Sequence, residues 1–155
     1  MNDSLNAQCP CASTQFSLQG KALMRGFCHC TICQAFNQSG YADITVFRAK
    51  DVTKPDPALV DFKSYRSPPV LQRGKCSHCH KPAIEYFHLF PMPELVIVPT
   101  ANILDSALIP EPSLHIFYNR RVEDIQDNLP KYSGYLRSQL AFGQQLVMAL
   151  WRRGR

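Results

Sequence analysis

Seven cysteines stand in this 155-residue chain as Cys9-Pro10-Cys11, Cys28-His29-Cys30-x-x-Cys33 and Cys76-x-x-Cys79, and thiols at these spacings suit a metal. Their odd number leaves one over from any disulfide scheme. Cysteines two apart on an extended segment point to the same face, so a Cys-x-Cys pair aims two sulfurs at one ion. A Cys-x-x-Cys does the same through a tight knuckle. Structural zinc takes four ligands in a tetrahedron with Zn–S near ~2.3 Å, whereas catalytic zinc keeps a position open. The seven sulfurs divide as four plus three.

Cys28, Cys30 and Cys33 fall within six residues and can cluster without outside help. Cys9 and Cys11 are then left to meet Cys76 and Cys79, closing a long loop around a four-sulfur site. Binding energy in a closed site of this kind is folding energy, on the order of 10–16 kcal/mol. The triplet has a free position for water, a histidine or an incoming thiol, and chemistry begins at such a position. A second division joins Cys28 and Cys30 to Cys76 and Cys79 and leaves Cys9, Cys11 and Cys33 over. It ranks lower because it splits the tightest cluster. Reduced, buried thiols without metal are the plain alternative for the triplet.

The elements that position these cysteines read as mostly β. Thr14–Leu18 and Lys21–Cys28 are strand candidates around Gly20, expected to pair as a hairpin that brings both Cys-x-Cys pairs to one end. Ala42–Phe47 is the clearest strand, being rich in β-branched and aromatic residues. Further strands are expected over 59–65, 83–90, 95–98 and 114–118, with Val70–Lys75 leading into the second knuckle. Residues 51–60 read as a loop. From Leu136 to Arg152 the pattern changes to a helix with Leu136, Leu140, Val147, Leu150 and Trp151 on one stripe. The organisation expected is one β domain over 1–135 and a helix over 136–155, packed on that domain or on a partner subunit.

Composition sets the remaining bounds. With 45% hydrophobic and 19% charged residues the chain is an ordinary globular protein with a real core. Its formal charge of +5 counts cysteine as neutral; seven zinc-bound thiolates would remove seven units and two zinc ions restore four, leaving +2. That small excess argues against nucleic acid as a partner, and what remains lies partly in Arg152-Arg153-Gly154-Arg155, read as a solvated tail. The first twenty residues lack a basic region followed by an apolar run, and no stretch approaches the ~20 apolar residues of a membrane span. A cytoplasmic protein is expected. Among other polar residues, His29 sits between two ligands and should point away from the metal, toward solvent or a local bond. His78 and His80 flank the second knuckle as supporting groups, His115 reads as a core histidine, and Tyr41 and Asp43 follow the triplet closely enough to reach it. His88 carries no signal.

These residues resemble the glutathione-dependent formaldehyde-activating enzyme family. The likeness is carried by Cys9-x-Cys11 with Phe16 and Gly20, by Phe27-Cys28-His29-Cys30-Thr31-Ile32-Cys33, by Tyr65 with Lys75-Cys76-Ser77-His78-Cys79, by Pro112-x-x-His115 and by Asp127-Asn128-Leu129-Pro130-Lys131-Tyr132. The resemblance implies a mainly β, antiparallel zinc-binding β-tent, here followed by a C-terminal α-helix. It implies a structural zinc on Cys9, Cys11, Cys76 and Cys79 and a catalytic zinc on Cys28, Cys30 and Cys33, the same partition the spacing favours. Ala12 and His80 replace glycines common after the outer pairs, Gln34 replaces an arginine common after the triplet, and Val122 replaces a tryptophan. These departures bear on glutathione specificity more than on the fold.

Two functions are expected from this pattern. The first is a carbon–sulfur lyase acting on a small thiol such as glutathione or on its aldehyde adduct, with Arg25, Arg48, Arg66 and Arg73 available to an anionic thiol and a homodimer as one way to cover the helix. The second is a non-catalytic zinc module that binds a protein or nucleic-acid partner. An exchangeable position on the triplet separates them.

Overall fold

A computed structural model of the chain describes residues 5–154. Two short strands, β1 (Ala7–Gln8) and β2 (Gln15–Phe16), pair antiparallel around the first cysteine pair. Next come β3 (Met24–Cys28), helix α1 (Thr31–Asn37) and β4 (Ala42–Arg48). After them run β5 (Val60–Lys63), β6 (Leu71–Cys76), β7 (Pro82–Phe87), β8 (Leu95–Pro99), β9 (His115–Ile116) and helix α2 (Tyr135–Arg153). The main sheet has the order β5-β6-β7-β8-β4-β3-β9. Between these strands every pairing is antiparallel except β3 with β9. The protein is therefore mainly β with a mixed, largely antiparallel sheet and a C-terminal helix.

Alternation along the strands gives the sheet two buried faces. In β8, Val96 and Val98 join Phe16, Phe47 and Ile84 on one side, while Leu95 and Ile97 join Ile44, Leu114 and Ile116 on the other. Successive strand residues point to opposite faces, so one apolar run serves both cores. Cys9 and Cys76 belong to the first core, Cys28 and Cys33 to the second. At Gly74 in β6 the backbones crowd: a Cβ there would lie 2.6 Å from Val60 Cγ1 and 2.7 Å from the Ile84 carbonyl, beside a register shift at Gly74/Lys75. Only glycine fits so close an approach.

The expected hairpin between 14–18 and 21–28 does not form. The Gln19 amide instead donates to the Asp51 carbonyl (2.7 Å) and Thr53 donates to the Ser17 carbonyl (3.0 Å). Residues 17–19 therefore run antiparallel to 51–53, and β3 finds its partners in β4 and β9. The strand expected over 114–118 shrinks to two residues because Phe117 turns into the left-handed region at φ 54°. Helix α1 was not anticipated; a seven-residue segment has too short a period to show in the sequence, and its N-cap is the cysteine Cys30.

Helix α2 lies across the second face. Leu146 and Ser138 are buried, and the Phe117 amide donates to Ser138 Oγ (2.8 Å). The stripe expected to cover the sheet or a partner subunit does not face the sheet: Leu136, Leu140 and Val147 are 73%, 72% and 56% exposed. Arg152 and Arg153 in the last turn complement the helix dipole. Arg153 is no solvated tail, since its guanidinium donates to the Ala22 carbonyl at 2.7 Å; Arg155 lies outside the described residues. Among the described residues no helix is long and apolar enough to cross a membrane.

Candidate metal centres and an apolar cavity

All seven cysteines are free thiols, and they gather into two clusters whose sulfur atoms lie within 4.8 Å of one another, Cys9/Cys11/Cys76/Cys79 and Cys28/Cys30/Cys33. In the first, Cys9 Sγ is 3.5 Å from Cys11 Sγ, and Cys11 Sγ is 3.7 Å from Cys76 Sγ. A tetrahedral zinc with ~2.3 Å bonds sets its sulfurs ~3.8 Å apart, so the thiols fit that ion. Backbone amides support them: Thr14 donates to Cys9 Sγ (3.3 Å) and His78 to Cys76 Sγ (3.4 Å). His78 and His80 thus contribute amides, the latter to the Cys76 carbonyl at 2.8 Å. Ala12 and His80, the residues standing where glycine is common, have φ of 63° and 58°, the left-handed conformation that glycine adopts at no steric cost.

The triplet is built where β3 hands over to α1. Cys28 closes the strand, and Cys30 caps the helix by accepting the Cys33 amide at Sγ (3.3 Å). Cys30, accepting hydrogen bonds from the Cys28 and Cys33 thiols, is drawn down to a pKa of about 3. Cys28, which donates to that thiolate and also interacts with Cys33, is raised well above the ordinary thiol range. Protons are shared around one thiolate, and a cation collecting all three sulfurs would release the rest.

Behind the triplet lies a buried ion pair. Arg73 on β6 stands directly opposite Glu85 on β7, 3.1 Å away, and both are buried. Arg73 also reaches Cys33 Sγ at 3.6 Å and stacks over Phe36 at 5.5 Å. Burial pushes Glu85 up to about 7 against the pull of Arg73. Glu85 escaped the sequence reading, although a single acid inside Ala83-Ile84-Glu85-Tyr86-Phe87, facing an arginine on the neighbouring strand, is a detectable signal.

A second chain of groups leads away from the cavity. His29 Nε2 and His115 Nδ1 are 2.9 Å apart, and His115 Nε2 meets Asp127 Oδ2 at 2.8 Å. Asp127 also accepts from Lys131. His29 is therefore directed away from the cysteines as expected, yet it is buried rather than solvent-facing. Among the described residues its Nδ1 has no hydrogen-bond partner, and burial lowers its pKa to about 4. A carboxylate on one nitrogen of His115 fixes the tautomer of both rings. Gln34 is occupied too: its amide nitrogen donates to the carbonyls of His29 (2.7 Å) and Arg120 (2.8 Å). Gln34 thereby staples two backbone segments together.

The three cysteines of the triplet line a cavity of about 860 Å³ between the sheet and α2. Its walls come from Ile44, Leu71, Phe87, Ile97 and Ile116 on the sheet and from Phe142 and Leu146 on the helix. Arg66, Arg73 and Arg120 border it. Arg25 and Arg48 do not, being paired with Asp43 (2.8 Å) and Asp51 (2.8 Å). Asp43 is thereby engaged, Tyr41 packs on Phe27 and His29, and neither lines the cavity. Nothing in the sequence marks Arg120. The inner face of α2 was legible as a second stripe, Phe142 and Leu146 one turn apart.

A family model described as glutathione-dependent formaldehyde-activating enzyme matches residues 4–120. No protein of curated function matches the chain. Among solved structures, a Rhodobacter sphaeroides protein superposes with a TM-score of 0.51 at 14% identity, covering 70% of this chain and 97% of that one. At that identity the likeness is one of fold alone.

Proposed function

Because the chain belongs to the glutathione-dependent formaldehyde-activating enzyme family, we propose that it is a carbon–sulfur lyase that makes or breaks the bond between a thiol and an aldehyde carbon. The observation that carries this is the triplet Cys28, Cys30 and Cys33 lining a cavity large enough for a small molecule. We assign a structural zinc to Cys9, Cys11, Cys76 and Cys79 and a catalytic zinc to the triplet. A zinc ion there supplies a lowered thiol pKa and Lewis-acid polarisation of a carbonyl.

The chain's own residues do the rest. In the addition direction the thiol sulfur attacks the carbonyl carbon, the C=O pair moves to oxygen, and the proton released by the thiol ends on that oxygen; cleavage is the reverse. Cys28, Cys30 and Cys33 hold the reacting sulfur's site at the cavity wall. The Arg73 guanidinium, donating to Cys33, withdraws charge from a strongly donating set of three thiolates and so strengthens the electrophile they hold. The apolar walls exclude water, which favours exchange of a thiol over hydrolysis. Arg66 and Arg120, both exposed at the border, are the cations available to an anionic thiol such as glutathione.

Domain use and setting follow the same reading. We assign residues 1–135 to the zinc unit; the exposed Leu136, Leu140 and Val147 support a homodimer, and seven free thiols suit a reducing cytoplasm. Cobalt substitution tests the function. Glutathione added to the cobalt form should change the sulfur-to-metal charge-transfer bands, and Cys30→Ser should abolish the change. A spectrum that no thiol perturbs means a closed site, and the non-catalytic binding module then replaces this reading.

A further inference from the structure

The cavity beside the triplet is much larger, and much less polar, than a one-carbon aldehyde requires. Ile44, Leu71, Phe87, Ile97, Ile116 and Phe142 line its interior. The one guanidinium among the buried residues there, Arg73, is already matched by Glu85 at 3.1 Å. Glutathione carries two carboxylates and an ammonium, and moving such charges into this interior without partners is strongly unfavourable. Cations without a salt-bridge carboxylate stand only at the border, where Arg66 stacks over Tyr135 at 4.6 Å and Arg120 is exposed. Charge is served at the rim and hydrocarbon in the interior.

From this division, and resting on the thiol–aldehyde reading above, we infer that the compound handled here carries an extended apolar group on the carbon bound to sulfur, and that this group fills the space between the sheet and α2. Formaldehyde would leave nearly all of the 860 Å³ unfilled. Polar residues such as Ser67, Asn119 and Gln139 also line this cavity, but its aliphatic and aromatic side chains are the surface an apolar group would cover. Each methylene that enters adds the free energy of its removal from water, so affinity climbs with chain length until the cavity is full.

Gly143 offers the means to test it. It borders the cavity on α2, and a Cβ built there meets nothing within 4 Å. A larger residue is thus accommodated by the backbone, improves helix propensity and occupies ligand space.

The experiment uses the full chain with cobalt in its metal sites. One series titrates straight-chain thiols from ethanethiol to hexanethiol, with the apolar group on the thiol. A second titrates glutathione in the presence of formaldehyde, propanal or hexanal, with the apolar group on the aldehyde. Charge-transfer bands report whether sulfur reaches the metal, and midpoints report affinity. The expected result in at least one series is a gain of about fourfold per methylene, roughly 250-fold over the four methylenes from ethanethiol to hexanethiol. Gly143→Phe should flatten that dependence, Gly143→Ala should keep it, and circular dichroism should show both variants folded. Bands that respond to every thiol with no dependence on chain length overturn the apolar substrate class while leaving the thiol reading intact. Chain-length dependence that survives Gly143→Phe unchanged places the apolar group elsewhere and overturns the inference. Bands that no thiol moves overturn both.

Discussion

The two cysteine clusters use one ligand chemistry in two contrasting settings. Cys9, Cys11, Cys76 and Cys79 draw together chain segments more than sixty residues apart, on the face of the sheet that carries Phe16, Phe47 and Val98. Cys28, Cys30 and Cys33 come from one strand end and one helix turn, on the face with the cavity. Four sulfurs are enough to complete a tetrahedron, and three would leave a position beside open volume. On the assignment proposed above, ligand count and sequence span together would set a division of labour: a metal in the long closed loop would contribute folding energy, while the short open cluster could lose its metal and leave the fold standing.

The sharpest way to break this comparison is to remove one sulfur from each cluster. Cys76→Ser should forfeit a large part of the ~10–16 kcal/mol typical of a structural zinc and leave an unfolded or insoluble chain. Cys30→Ser should stay folded with one metal equivalent fewer. Circular dichroism and metal analysis on both variants decide it, and equal tolerance of the two changes would end the structural/catalytic distinction.

The ion pair behind the triplet sharpens the contrast next. Arg73→Met alone leaves Glu85 buried without its partner and should cost about 3–5 kcal/mol in urea unfolding. Arg73→Met combined with Glu85→Leu should recover much of that stability, because an apolar pair suits the surrounding core. If stability returns while the cobalt bands of the triplet stay altered, Arg73 is retained for the electronics of the site and not for the fold.

Smaller effects are expected at the knuckles. Ala12→Gly and His80→Gly each relieve a left-handed residue and should stabilise the four-cysteine side by about 1 kcal/mol, seen as a higher melting temperature.

The smallest effect is in acid. Lys131 and then His115 lower the Asp127 pKa from 3.8 to about 2. A carboxylate with a depressed folded pKa contributes stability that is present above its unfolded value and lost as pH falls through the folded one. Asp127→Asn should therefore be less stable than the parent at pH 7, and the difference should fade between about pH 4 and pH 2. A difference that stays constant across that window would show that the contact between His115 and residue 127 acts by shape and not by charge.

Much of this architecture is written in local chemistry. Cysteine spacing anticipates both clusters because ligands two or three residues apart are neighbours in any backbone that holds them. The β character of 42–48 and 95–99 and the helix over 135–153 follow from residue preference and period. Residues after the outer pairs announce left-handed turns, since their usual occupant is glycine. Pairing is another matter. Whether β3 meets β2 or β4 depends on hydrogen bonds between distant segments, such as Gln19 to Asp51, and local preference is blind to those.

The same limit applies to the cavity and its neighbours. Leu136, Leu140 and Val147 make the more conspicuous stripe on α2, yet the helix turns Phe142 and Leu146 inward and leaves that stripe exposed. Both faces are apolar enough to be buried, and only docking against the sheet, with Ser138 and Arg153 as anchors, chose between them. Glu85 acquires meaning when Arg73 stands opposite, and Gln34 when two carbonyls from separate segments converge on it. The grouping of the seven cysteines into a four and a three was thus legible in the sequence, through the close spacing within each doublet and within the triplet. The volume beside those ligands, its lack of polarity and the partners of its buried charges were decided by tertiary structure, because each depends on which distant surfaces exclude water together.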